Sequence, residues 1–255
     1  MRTLRRALSA LPALPLAAAG VMIAQVLRAA HRPDLPSFPN QDPSGTFGDE
    51  DLPRLRIVAL GDSSITAPGV EDLDNAWVRR IASALSDRYH IDLVSLAVGG
   101  AKARDVIEGQ LAGAVRLKPD LVILSVGTND SIRAASPDRY RRDLRQIVET
   151  LEQVAGAVVV LGVGDLGSIP RLPRTLRPFL TGRAAAFDAA AAAVAAESPR
   201  TVKVATSGRI STAFWGHPEL FAPDQFHVGD EGHAVFAEEA LPAVRAALAI
   251  AGAAG

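Results

Sequence analysis

Five short apolar runs, at residues 55–60, 91–97, 121–126, 157–163 and 202–205, punctuate the chain beyond residue 54 and constrain its fold more than any other feature. LRIVAL, LVILSV and AVVVLGV are nearly continuous in Leu, Ile, Val and Ala, where a strand wetted on one face would alternate apolar with polar residues. Such runs belong to strands buried on both faces. Stretches of helical length separate them: residues 76–89, 103–117, 137–155 and an alanine-rich 181–197, with a last helix at 230–251 closed by Gly252. Alternation of strand and helix with short links predicts a three-layer α/β/α domain, doubly wound around a five-stranded, mainly parallel sheet. Ligands and reacting groups in open sheets of this kind collect at the carboxyl ends of the strands.

With 255 residues, 48% of them hydrophobic, the chain can bury one sizeable core, and a single catalytic domain is expected over residues 55–255. The absence of cysteine excludes disulfides, thiolate nucleophiles and cysteine-ligated zinc, and the five histidines lack a familiar ligand spacing. No metal site is expected. Residues 1–32 carry five arginines and no acid, so the remainder holds 27 − 5 = 22 basic against 28 acidic residues, a net charge of −6. Nothing there forms a basic stripe that would follow a phosphate backbone, so nucleic acid is not an expected partner.

Residues 7–27 contain no charged side chain, and their length matches the roughly 20 residues that cross a bilayer core. Residues 1–30 therefore read as a signal anchor; the alternative is a signal peptide cleaved near Ala17, Ala18 and Ala19. Arg2, Arg5 and Arg6 favour a cytoplasmic amino terminus. The expected location is the cell membrane, single-pass with an extracytoplasmic domain, or secretion if the segment is removed. Residues 31–54 hold five prolines without periodicity and read as an extended linker.

Three polar motifs stand at or after strand ends. Gly61-Asp62-Ser63-Ser64 follows the first run, Gly127-Thr128-Asn129-Asp130 follows the third, and Asp224-Gln225-Phe226-His227 pairs an acid with a base near the carboxyl terminus. A serine hydroxyl is a poor nucleophile at neutral pH until a base takes its proton, and that base needs a third group to orient it and stabilise its cation. Ser63, His227 and Asp224 can fill these parts. The oxyanion of acyl transfer needs fixed donors, which the Asn129 side chain and the backbone N–H groups of Ser63 and Gly100 can supply. At Gly100 the missing Cβ lets substrate approach the backbone closely.

These blocks, in order and spanning residues 57–245, resemble those of the SGNH/GDSL hydrolase family. The resemblance implies a flavodoxin-like sheet and a serine esterase or lipase acting through an acyl-Ser63 intermediate without a cofactor. It further implies Ser63, Asp224 and His227 as triad, and Ser63, Gly100 and Asn129 as oxyanion hole. A small-molecule, lipid or glycan ester is the expected substrate; oligomeric state is left open. A thioesterase, a carbohydrate O-deacetylase or an acyltransferase would use the same acyl-enzyme, and a catalytically silent binding module could share the scaffold. The second block departs from the family pattern, with Ser95 where asparagine is frequent and Gly99 where serine is frequent.

Two motifs compete. Asp230-Glu231-Gly232-His233 repeats the Asp-x-x-His spacing, but Asp230 sits where the last helix should begin and reads as its capping or first-turn acid. Residues 162–167, GVGDLG, imitate a dinucleotide fingerprint, yet Pro170 and Pro173 follow where a helix should open. Phe214, Trp215 and Phe221 either pack in the core or line an acyl pocket, and Arg171, Arg174 and Arg177 lie in a loop that is solvated or meets anionic lipid or substrate.

Overall fold

The computed structural model describes Gln25, Arg28, Ala29, residues 34–133 and residues 135–253. The anchor segment expected at residues 7–27 lies, apart from Gln25, outside the described residues. Six strands form one sheet: β1 (Gly45–Phe47), β2 (Arg54–Gly61), β3 (His90–Ser95), β4 (Leu121–Ser125), β5 (Ala157–Leu161) and β6 (Thr201–Val204), in the order β1-β3-β2-β4-β5-β6. All pairings are parallel except β1 with β3. Without β1 the order is that of a flavodoxin-like sheet, and it reverses direction between β2 and β4.

The five expected strands are present, and the expectation of five becomes six. Gly45–Phe47 lies inside the segment read as linker. It pairs antiparallel with β3, Gly45 opposite Leu93 and Phe47 opposite Ile91. Arg79 lies over the Phe47 ring and donates to the Pro43 and Ser44 carbonyls, fixing this edge from outside. Upstream, the Gln41 amide donates to the carbonyls of Ala67 and Val70. The second half of the proline-rich stretch is thus packed against the domain.

On one face of the sheet lie α1 (Ser63–Thr66), a single turn after β2, with α2 (Trp77–Leu85) and α8 (Asp230–Ala253), which pack on each other. The other face carries α3 (Ala103–Gly109), α4 (Leu111–Leu117), α6 (Pro137–Glu152) and α7 (Arg177–Ala196), while α5 (Thr128–Ile132) is a short turn after β4. In α2 the buried positions Trp77, Val78, Ile81, Ala82 and Leu85 recur at helical spacing, as do Tyr140, Leu144, Ile147, Val148 and Leu151 in α6. Ser136 caps α6 by accepting from Arg139 N–H, with Pro137 at the first helical position. Helix α7 is long and apolar enough to cross a membrane, yet Leu180, Ala184, Phe187, Ala191 and Val194 are buried against the sheet and α6.

The helix expected at 103–117 is divided at Gln110, whose buried side chain leaves the helical run to bond the backbone of Gly61. The last helix continues through Pro242 to Ala253, past the stop expected at Gly252.

Candidate active site

The geometry of the site begins with Gly61, where φ is +137° and an added Cβ would lie 1.8 Å from the Ser125 carbonyl oxygen. Only glycine lets β2 and β4 approach this closely at their ends. Both backbone groups of Gly61 are held by one side chain: its N–H donates to Gln110 Oε1 at 2.8 Å, and its C=O accepts from Gln110 Nε2 at 2.9 Å. Asp62 then caps α1, accepting from Ser64 N–H at 3.0 Å, which leaves Ser63 as the first residue of the turn. Ser64 points elsewhere, its hydroxyl donating to Ser125 Oγ at 2.5 Å.

From the other side of the reversal, β4 leads into α5, and Asn129 Nδ2 reaches Asp62 Oδ2 at 3.3 Å. Burial raises the Asp62 carboxyl above its ordinary range, and the bonds from Ser64 and Asn129 offset part of that rise. The loop after β3 is tied to the same place by Val98 N–H, which donates to the Gly61 carbonyl. Gly99 and Gly100 within it differ in kind. An added Cβ at Gly99 would lie 2.0 Å from Asn40 Oδ1, so Gly99 is required by packing. Gly100 has φ +80°, and an added Cβ there would have within 4 Å only an Arg133 guanidinium nitrogen, at 3.4 Å, so the left-handed backbone rather than packing favours glycine.

His227 is delivered by a tight turn. Phe221 and Val228 bridge antiparallel, Ala222 N–H donates to the His227 carbonyl, and Gln225 takes a left-handed φ of +60° between them. Within the turn Asp224 accepts from the backbone N–H groups of Phe226 and His227, both at 2.9 Å, and from His227 Nδ1 at 2.6 Å. Burial pushes Asp224 up, but the bonds from the imidazole and the two amides outweigh it and leave the carboxyl below its ordinary range. A proton on Nδ1 is what that short contact requires, which leaves Nε2 as the basic nitrogen.

Ser63 and His227 line one cleft, which encloses about 740 Å³ including its open mouth. Its wall is largely apolar, with Leu166, Ile169, Ile210, Phe214, Phe226 and Phe236 among the contributors. Asp224, Asn129 and Gly100 are not part of that wall. Asp224 stands behind His227, Asn129 beside Asp62, and Gly100 in the adjoining loop. Of the aromatic trio before Asp224, Phe214 and Phe221 both line the cleft and belong to the core, packed edge to face with centroids 5.2 Å apart; Trp215 is exposed.

The competing motifs resolve on geometry. Asp230 opens α8, accepting from Glu71 N–H and Asn75 Nδ2, and is not bonded to His233. His233 is buried, accepts the Trp77 N–H on Nδ1 at 3.1 Å, and is held neutral, its pKa pushed down to about 3 chiefly by burial. After Gly162 the chain turns through a single 3-10 turn at Leu166–Ser168, not into a helix. Asp188 is buried in a pair with Lys203 at 2.7 Å. No group of three His, Cys, Asp or Glu side chains suited to a metal ion occurs among the described residues.

Two supporting residues had no signature in the sequence. Gln110 imitates a strand's backbone toward Gly61, and Asn40 Oδ1 accepts from Thr66 Oγ1 at 2.6 Å while its side chain packs into the space a Gly99 Cβ would need. Each acts through contacts distant in sequence, 49 residues for Gln110 and 26 for Asn40.

This arrangement of blocks agrees with a family model of the GDSL-like Lipase/Acylhydrolase family, which matches residues 59–235, more than half the chain. The chain belongs to that family. It is 29% identical over 202 residues to the GDSL-like esterase Rv1075c of Mycobacterium tuberculosis, covering 76% of this chain and 63% of the relative. To esterase TesA of Pseudomonas aeruginosa it is 28% identical over 112 residues, 42% of this chain and 53% of that one. The chain thus spans less than two thirds of the length of these curated relatives. Among solved structures, a catalytic mutant of Axe2, an acetylxylan esterase from Geobacillus stearothermophilus, superposes with a TM-score of 0.63 at 16% identity, covering 77% of this chain and 96% of Axe2. That likeness bears on the fold, a three-layer α/β/α hydrolase architecture.

Proposed function

We propose that this GDSL-family protein is a carboxylic-ester hydrolase that works through an acyl-Ser63 intermediate. The observation that carries the reading is the 2.6 Å contact of His227 Nδ1 with the buried Asp224, together with Ser63 and His227 on the wall of one cleft. In this reading His227 Nε2 takes the Ser63 proton as Oγ attacks the ester carbon. Asp224 stabilises the imidazolium, and the proton passes to the departing alkoxide as the C–O bond breaks. Water, activated by the same nitrogen, then adds to the acyl-enzyme, and the carboxylic acid leaves with Ser63 restored.

Charge on the carbonyl oxygen is met by the N–H groups of Ser63 and Gly100 and by Asn129 Nδ2, whose long bond to Asp62 leaves its second N–H unassigned. The apolar cleft wall suits an acyl chain, so the proposed substrate is an acyl ester of a small alcohol, a lipid or a glycan. Residues 7–27 would hold the domain at a membrane or direct its export.

Kinetics of Ser63→Ala and Ser64→Ala on nitrophenyl esters test the assignment. Ser63→Ala should lose at least about 10³-fold in kcat with an unchanged fold. Loss in Ser64→Ala with retained turnover in Ser63→Ala would overturn it.

A further inference from the structure

One carboxylate outside the proposed triad gathers three separate segments around the cleft. Asp165, itself on the cleft wall, caps the turn after β5: its Oδ1 accepts from Gly167 N–H at 2.8 Å and from the Thr181 hydroxyl of α7 at 2.7 Å. Its Oδ2 accepts from Trp215 Nε1 at 2.7 Å. Trp215 is 41% exposed, yet its N–H is fully committed to this bond and the Arg177 guanidinium lies over its ring at 5.5 Å.

The segment that ends in Trp215 supplies Ile210, Ser211 and Phe214 to the cleft. Glycines with nothing within 4 Å of an added Cβ stand at both of its ends: Gly208, at φ −94° and ψ −116° inside a helical turn, and Gly216, at φ +79°. A stretch bounded by two such residues can swing as a unit unless something fastens it. Its inner side rests on Phe221 and Phe236 through the Phe214 ring, contacts that slide, and near Gly208 the exposed Arg209 pairs with Glu238 and Glu239 of α8, surface ion pairs of little worth; the Asp165–Trp215 bond is the directional tie at the far end of the segment.

We propose that the Asp165–Trp215 hydrogen bond is a latch on this wall and sets acyl-chain selectivity, with Trp215 and Asp165 as positioning residues that act through Phe214 and Ile210. The inference rests on the ester-hydrolase reading above. With the latch made, the wall meets carbons beyond the carbonyl; with it broken, the wall no longer holds them, while an acetyl group, which does not reach that far, is served as before.

Trp215→Phe keeps a ring and removes the donor. Asp165→Asn can keep an acceptor for Gly167 and Thr181 while presenting an N–H to the indole N–H. In the full chain, kcat/KM for nitrophenyl octanoate should fall about tenfold in each variant, mainly through KM. That is the worth of roughly two methylenes' contact. Turnover of nitrophenyl acetate by Trp215→Phe should stay within about twofold, and the double variant should be no worse than the singles because both remove one bond. Acrylamide quenching provides a second readout, since Trp77 is buried and silent: quenching should rise in Asp165→Asn. Equal losses on both esters, additive singles, or unchanged quenching would overturn the latch. Failure of the wild-type chain to hydrolyse either ester would instead count against the ester-hydrolase reading, and quenching would still decide the latch.

Discussion

Replacing His233 by asparagine should change how stability responds to pH, by an amount the structure sets. The ring is 1% exposed and accepts the Trp77 N–H on Nδ1, so the proton sits on Nε2 and the neutral form is the folded form. Burial lowers its pKa to about 3, against about 6.5 in the unfolded chain; Asp230 pulls it back up, and Arg80 and His227 push it further down. A depressed folded pKa means that stability is intact above the unfolded value and is lost as pH falls from about 6.5 toward 3. At pH 5 the unfolded state has taken up most of a proton that the folded state refuses, a penalty of about 2 kcal/mol relative to pH 8. Asp130 works the other way. Burial raises its pKa to about 6, so the folded state holds a proton at pH 5 that the unfolded state releases, worth about 1 kcal/mol in the stabilising direction. The buried Asp62, also raised, adds to that. The slope of the whole protein is therefore a poor test, and the difference between two proteins is a good one. Asparagine offers an oxygen near the place of Nδ1 and does not titrate. Urea unfolding of both chains at pH 8 and pH 5 should show His233→Asn less stable at pH 8, through lost packing, with the gap narrowing by about 2 kcal/mol at pH 5. A gap independent of pH would refute the argument and mean that His233 is not held neutral.

Three further outcomes are expected. Asn129→Ala should lower kcat by about 10²- to 10³-fold with little change in KM, because its donor matters when charge has developed; steady-state kinetics that show KM rising instead would make it a ground-state contact. Gln110→Leu strands the N–H of Gly61 and leaves its C=O only the bond from Val98 N–H, so it should cost about 1–3 kcal/mol in denaturant unfolding, where a loss under about 0.5 kcal/mol would contradict the clamp. A chain shortened to begin at Leu52 loses β1 and the Asn40 and Gln41 contacts, and its Tm should fall roughly 10 °C below that of one beginning at Asp34; equal melting curves would show that the edge strand contributes nothing.

The readable parts of this fold are those whose burial is written locally. Helices cover the sheet from both faces, so β2, β4 and β5 announce themselves as unbroken apolar runs, and the motif residues follow those runs directly. Strand β1 was not readable. It is three residues, Gly45, Thr46 and Phe47, partly exposed at an edge and set among prolines, and it exists because β3 offers an unpaired edge. The division of the third expected helix at Gln110 was equally hidden, since the residue leaves the helical run for a contact across the fold with Gly61. At the site, the Asp224–His227 pair was legible because acid and base are three residues apart on one turn. Asn40 was not, because nothing near it in sequence marks a residue that supports the Gly99 loop. Trp215 illustrates the intermediate case: its place before Asp224 offered core packing or a pocket wall, but it is exposed with its indole on Asp165, and it is Phe214 that both packs in the core and reaches the cleft.

The central claim, that Ser63 is a nucleophile activated by His227, is tested most directly by labelling the full chain with an active-serine phosphonate and locating the adduct by mass spectrometry. The account predicts a single adduct on Ser63, absent in Ser63→Ala and slowed by orders of magnitude in His227→Ala but not in His233→Ala. An adduct on Ser64, or ester turnover that persists with Ser63 unlabelled, would contradict it.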